Sequence, residues 1–289
     1  DWLYIICAAG VSLWTWKNLS FFIALPVYLL AVAVIGCRQK GLRLVNHAGS
    51  HKTLAKNLKL NYLLSTVMGA WLVLESFSGY NDTHNSFQNG HHPNLGTDLD
   101  VDHMAIVAQG LYGEGKTADR LRKYLLTIPT RTPRYIVFLL RNRVWNPREN
   151  KKERTARVIY LAILTGIIFY MGWTSAIILY WIVPLFTTAI WVGLFIQLAE
   201  HYPLIEMNYS IDIYVSRNRI LNPIANIFVG THNESYHLIH HLFPGLPFWQ
   251  MKQAHHILME DETYASLHQE VGWKALIKQM TPVSIIRNS

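Results

Sequence analysis

The sequence predicts an all-α integral membrane protein, with four transmembrane helices arranged as two hairpins and a helical cytosolic cap that holds a metal site. Three observations predict it. Hydrophobic residues make up 51% of the 289 and charged residues only 15%, against roughly 25% charged in soluble domains. Two long stretches are almost free of charge: residues 2–37 carry Lys17 alone and residues 158–199 carry none. The 14 histidines fall mostly in clusters outside those stretches.

Each apolar stretch is too long for one crossing. The 36 residues of the first would run about 54 Å as a helix, against a hydrocarbon core of about 30 Å. Two crossings fit each stretch. The first pair is 2–16 and 18–37, turning at Trp16-Lys17-Asn18; the second is 158–174 and 176–199, turning at Gly172-Trp173-Thr174-Ser175. Basic residues set the orientation. The turns hold only Lys17, whereas the opposite ends carry Arg38, Lys40, Arg43 and Lys52, then Lys151, Lys152, Arg154 and Arg157. The positive-inside rule then predicts a multi-pass protein with both termini and every histidine cluster in the cytosol. The cap is residues 38–157 and 200–289.

Within the cap, Leu60 to Leu74 is apolar but only 15 residues long. That length is marginal for a crossing, and it is expected to lie in the cap or half-embedded. Gly113-Glu114-Gly115 marks a loop, and Pro129 and Pro133 break any long helix there. Tyr135 to Leu140, between Arg134 and Arg141, reads as a short interfacial helix. No repeat or second domain is evident, so 1–289 is expected to be a single membrane domain.

Composition also excludes. The two cysteines, Cys7 and Cys37, can build neither a disulfide framework nor a thiolate zinc site. The net charge of +8 is carried by residues flanking the spans. It therefore points to lipid headgroups and an acidic protein partner rather than nucleic acid.

The histidine clusters carry the chemistry. The strongest is His237, His240 and His241, at i, i+3 and i+4. Such positions share a helix face, and neutral imidazole is the commonest protein metal ligand, so the three can grip one metal or reach two. Leu242-Phe243-Pro244 ends that helix, because the residue before proline disfavours the α region. His47 and His51, four apart below the second span, also share a face. In the third cluster His91 and His92 are adjacent and point in different directions, so they suit different metals, with His84 one further imidazole upstream. Gln88 stands three before the pair and offers a weaker oxygen ligand. His201 follows the fourth span with Gln197 on the same face, a polar pair that is costly at the end of an apolar helix unless used. The predicted ligands His47, His51, His91, His92, His201, His237, His240 and His241 exceed what one metal takes and suggest two. Asn233, Asp98, Asp100 and Asp102 are candidates for a further ligand or for holding imidazole N–H groups. His103, His255, His256 and His268 are expected to lie outside the site.

In order and spacing, His47/His51, then Gln88/His91/His92, then His237/His240/His241 resemble the histidine boxes of the membrane fatty acid desaturase and hydroxylase superfamily. The resemblance covers residues of about 30–260, including Asn94-Leu95-Gly96-Thr97-Asp98 and Leu242-Phe243-Pro244. It implies two iron ions that activate O2 as co-substrate and abstract hydrogen from an unactivated C–H bond. It also implies a further histidine near the end of the last span with an amide one turn earlier, which His201 and Gln197 match. The departure is Gln88, where most members have histidine; His84 is the alternative ligand.

The expected function is therefore an O2-dependent oxidoreductase of lipid metabolism, a fatty acyl desaturase first. A monooxygenase-type hydroxylase, a ketolase or an oxidative decarboxylase forming a terminal alkene are the alternatives in the same superfamily. Electrons are expected from a separate ferredoxin, rubredoxin or cytochrome-type donor, since no fused haem or ferredoxin motif is present. Outside the superfamily, a metal transporter would need ionisable residues along the spans, and these hold none. A zinc hydrolase would need a carboxylate base, for which Glu200 or Glu234 is available.

Overall fold

The computed structural model describes residues 1–113, 116–207, 212–267 and 271–282; Glu114, Gly115 and His268 lie outside them. Among the described residues every regular element is helical. In order these are α1 (Trp2–Asn18), α2 (Phe21–Ser50), α3 (Leu58–Thr66), α4 (Phe77–Asn85), α5 (Val101–Val107) and α6 (Ala118–Leu126). There follow α7 (Thr132–Leu139), α8 (Lys151–Tyr170), α9 (Thr174–Ile177), α10 (Val183–Phe186) and α11 (Thr188–His201). The chain ends with α12 (Asp212–Val215), α13 (Pro223–Val229), α14 (His237–Leu242), α15 (Met251–Leu258), α16 (Glu262–Ser266) and α17 (Trp273–Met280).

Two helical runs are long and apolar enough to cross a membrane, Phe21–Ser50 and Thr174–His201. A third counts if Leu58–Val73 and Phe77–Asn85, bent by 96°, form one broken span. The expected spans 2–16 and 158–174 fall on α1, of 17 residues, and on the apolar end of α8. The first turn lies at Leu19-Ser20 rather than at Lys17, because α1 runs on through Asn18. The expected span 176–199 is not a uniform helix. It passes through a π-turn at Ile178–Ile182 and kinks at Thr187 (φ −120°, ψ −92°).

The chain divides into two compact units, residues 1–82 with 132–193 and residues 83–131 with 194–289. In the first, α1 packs along α2, and Ile5, Ala31, Ile35, Leu42, Tyr180, Leu185 and Ala189 form one buried cluster. Trp2 stacks on Trp181 with centroids 5.5 Å apart, and the hydroxyls of Ser12 and Tyr180 lie 2.9 Å apart. Gly36 lets α2 approach the start of α11: a Cβ there would stand 2.5 Å from the Thr188 Cβ. Phe22, Ile163 and Phe169 are exposed, the outward apolar surface that a bilayer solvates.

The sharp bend after residue 73 has a polar cause. Leu74 adopts φ +69°, and Arg157 of α8 donates to its carbonyl at 2.7 Å. Buried Glu153, also on α8, accepts from the backbone N–H groups of Phe77 and Ser78 at 2.6 and 2.9 Å. A carboxylate there suits the start of α4, where backbone N–H groups lack helical partners. The apolar run 60–74 thus ends on an ion-rich anchor instead of continuing as one rod.

In the second unit, α14 lies in a cluster of Tyr236, Leu238, Ile239, Met251 and Tyr264. Asn218 holds it from one side, accepting from the Leu238 N–H at 3.1 Å and donating to the Tyr264 hydroxyl at 2.8 Å. Its last residue is Leu242, directly before the Phe243-Pro244 stop.

Candidate metal centre

α14 is the scaffold. Its residues His237 and His241, one turn apart, point the same way, while His240 points elsewhere. The first direction gathers His91, His201, His237 and His241, all buried, with donor nitrogens within 4.8 Å of one another. The Nε2 of His237 lies 3.0 Å from the Nε2 of His201 and 3.1 Å from that of His241. The second direction gathers His84, His92 and His240 by the same measure. There the Nε2 atoms of His92 and His240 are 2.9 Å apart, and the rings of His84 and His92 are 4.6 Å apart. Each adjacent pair, His91/His92 and His240/His241, is divided between the two groups. The groups are neighbours: the rings of His92 and His241 are 4.6 Å apart.

His84 reaches its group because the chain doubles back after α4. The backbone N–H of His91 donates to the Thr83 carbonyl at 3.1 Å and that of His92 to the His84 carbonyl at 3.0 Å. The turn needs Gly90, where a Cβ would fall 2.4 Å from the Ser86 carbonyl oxygen.

Outer partners fix the tautomers. The Val215 carbonyl accepts from His201 Nδ1 at 3.0 Å, and Asp100 Oδ2 accepts from His91 Nδ1 at 2.9 Å. Glu200 Oε1 faces His237 Nδ1 at 3.4 Å. A carbonyl or carboxylate only accepts, so each of these Nδ1 atoms carries a proton, and in neutral His201 and His237 the Nε2 then keeps a lone pair. Lone pairs on His201 and His237 at 3.0 Å repel unless a cation lies between them. A proton relieves one pair; a metal relieves all four imidazoles of the first group at once. The donor set therefore fits a metal ion, and its chemistry suits iron, copper, nickel or zinc.

Asp100 also accepts from the backbone N–H groups of Gly96, Asp102 and His103 at 3.2, 3.0 and 3.1 Å. Burial of His91 disfavours its charge, but the charge and hydrogen bond of Asp100 outweigh it and hold the imidazole up at about 9. Burial likewise raises Asp100, and the same pairing overrides it and brings it to about 2. At neutral pH both ring nitrogens of His91 therefore carry a proton, and a metal ion at Nε2 would have to displace one of them. Burial and the neighbouring imidazoles push His241 well below its ordinary value, into the neutral ligand form. Glu200 is held by fully buried Arg219, at 2.8 Å, which also meets Glu234 at 3.2 Å.

The remaining predicted residues divide. Gln88 is exposed, and so is Asp98. Gln197 donates to the Asp102 carbonyl at 2.8 Å, and its buried Oε1 accepts no hydrogen bond among the described residues. Asp102 groups with His91 and Asp100. Asn233 donates to the Phe248 carbonyl at 3.0 Å. His47 and His51, at the end of α2 in the first unit, have ring centroids 5.1 Å apart, and His47 lies 6.1 Å from the Tyr80 ring. His255 faces the Tyr264 hydroxyl at 3.0 Å and His103 packs on Tyr112, away from both groups. Two outer supports, Arg219 and the Val215 carbonyl, have no sequence signature; Glu200 is marked only by standing directly before His201.

Helices long and apolar enough to cross a membrane, with buried groups of imidazoles that could hold metal ions, suggest a membrane metalloprotein. The chain belongs to the fatty acid desaturase family, whose profile matches residues 23–272. It is 32% identical over 261 residues to the dihydrorhizobitoxine desaturase of Bradyrhizobium elkanii, covering 85% of this chain and 72% of that relative. Membership makes it a desaturase-like oxidoreductase, of a family that implies a lipid substrate and a membrane context.

Proposed function

We propose that the protein is an O2-dependent di-iron desaturase acting on an unactivated C–H bond of a fatty acyl or related lipidic chain. The observation that carries this is the convergence of Nε2 lone pairs from His201, His237 and His241, together with His91, beside a second imidazole group. His91, His201, His237 and His241 hold one iron. His84, His92 and His240 hold the other, with His47 and His51 as its further ligands by their place in the first histidine box. The irons supply oxygen activation and removal of hydrogen from carbon.

The protein's own residues do the rest. Asp100, Glu200 and the Val215 carbonyl keep the Nδ1 protons in place, so that each Nε2 faces the metal. They also aim the rings, and misplacement on the ångström scale decides whether desaturation or another outcome follows. The Oε1 of Gln197 is a buried acceptor one turn before His201, suited to a proton of a bound water. Desaturation is preferred to hydroxylation, ketolation or decarboxylation because the relative is named as a desaturase. Four membrane passes with the histidines on the cytosolic side, and a separate acidic electron carrier docking on the basic face, complete the reading.

The test is product analysis by mass spectrometry after expression in a lipid-rich host, against His241→Ala. A new double bond that the variant does not make supports the proposal. Identical lipid profiles, with both proteins present in the membrane and the unaltered protein iron-loaded, overturn it.

A further inference from the structure

The two sides of α17 differ in kind. Leu276 and Met280 are buried, at 3% and 0% exposed. Trp273, Lys274, Ile277 and Lys278 are exposed. Trp273/Ile277 and Lys274/Lys278 are i, i+4 pairs, so they form two adjacent rows on one face, one apolar and one basic. The helix holds no acidic residue, and Lys274 makes no ion pair among the described residues. An apolar row beside a basic row is what an interfacial helix presents to a bilayer. Its apolar side chains enter the acyl boundary, and its lysines reach back to the headgroups.

Contacts within the second unit fix where that face stands. The Trp273 ring lies 5.8 Å from the Phe195 ring. Phe195 belongs to the last third of Thr174–His201, a run long and apolar enough to cross a membrane. The start of α17 is therefore beside the end of that run. A tryptophan where a span leaves the bilayer is in the belt of amphipathic rings at headgroup level. At its other end, buried Arg217 donates to the carbonyls of Gln279 and Tyr202, at 3.3 and 2.7 Å. Tyr202 directly follows the run. The Gly272 N–H, just before α17, donates to the Ile220 carbonyl at 2.9 Å. The helix is thus tied along the end of the span instead of hanging on a tail. α13, which begins shortly after Ile220, also exposes apolar side chains, Ile224 and Ile227.

We propose that the outer face of α17 docks on the bilayer surface and selects anionic phospholipid headgroups, with Trp273 and Ile277 immersed and Lys274 and Lys278 at the phosphates. A bilayer is the occupant because the apolar row continues from the end of a membrane span. The inference goes beyond the proposed reaction and rests only on the crossing by Thr174–His201. It gives the second unit a hold on the membrane of its own.

The test is quenching of a nitrobenzoxadiazole label on the full chain, with Cys7 and Cys37 replaced by alanine. The protein is reconstituted in vesicles of phosphatidylcholine mixed with an equal part of phosphatidylglycerol. The label is placed at Ile277→Cys, and at Ile163→Cys, an exposed position on the apolar end of α8, as the reference for immersion. The Ile277 label is expected to be quenched by spin-labelled lipid and shielded from aqueous iodide. Spin-labelled phosphatidylglycerol should be preferred to spin-labelled phosphatidylcholine, by about 5-fold for each lysine, and Lys274→Gln should lower the preference by that factor. An iodide-accessible label at Ile277 with an immersed label at Ile163 overturns the inference and leaves the face to a protein partner. Equal quenching by the two lipids, or a preference intact in Lys274→Gln, overturns it as well. Labels exposed to water at both sites would remove the membrane crossing and this inference together. Should Ile277→Cys misfold, the same label at Lys274→Cys reads immersion. No turnover is measured, so an immersed, lipid-selective α17 in a protein that forms no oxidation product would defeat the proposed function alone.

Discussion

The Nε2 of His237 lies 3.0 Å from the Nε2 of His201, and the Nδ1 of each ring faces a group that can only accept a hydrogen bond. Two nitrogens so placed have no proton to share. A cation between them relieves that repulsion, and with His91 and His241 the group could hold a metal ion.

Asp100→Asn tests the outer support of that position. The amide keeps the size of the carboxylate and loses its charge, so His91 loses the carboxylate that accepts from its Nδ1. Metal affinity is expected to fall by about 10- to 100-fold, read by competition with a chelator. Unchanged affinity would show that Asp100 serves the fold alone.

His84 and Gln88 offer a paired comparison. His84 is buried with His92 and His240, whereas Gln88 is exposed. His84→Ala is expected to reduce bound metal by one ion per chain, measured by plasma mass spectrometry. Gln88→Ala, and equally Gln88→His, should leave metal content and turnover as they were. Loss of metal in the Gln88 variants with full retention in His84→Ala would reverse the assignment.

Arg219 is fully buried between Glu200 and Glu234. Arg219→Met strands buried carboxylate, which costs about 3–5 kcal/mol. Chemical denaturation in detergent should show that loss. Because Glu200 faces His237, metal retention should fall with it. A variant as stable as the parent would show that the carboxylates find other partners.

Gly36→Ala places a methyl group 2.5 Å from the Thr188 Cβ and 2.8 Å from the Ala189 backbone nitrogen. The helices must separate, at about 1–3 kcal/mol for overpacking. A lowered melting temperature with unchanged metal content is the expected result, since the close approach lies in the first unit's core and not at the histidines.

Local chemistry was readable in the sequence and chain path was not. The stop at Phe243-Pro244 follows from proline sterics, and α14 ends at Leu242. The division of adjacent histidines between two groups follows from helix geometry for His240/His241. The role of His84 over Gln88 depends on how far the turn at Gly90 folds back, which no spacing encodes. Apolar runs located the helices, but hydropathy could not show the π-turns, the kink at Thr187 or the bend at Leu74, and the last of these answers to a buried arginine on another helix. Arg219 looks like any basic residue until its two carboxylates are in place.

The most direct measurement is the metal content of the purified full chain, by plasma mass spectrometry with a zinc and iron standard. The proposed function predicts close to two irons per chain, with His237→Ala losing at least one of them. A stable content of one zinc and no iron would contradict it.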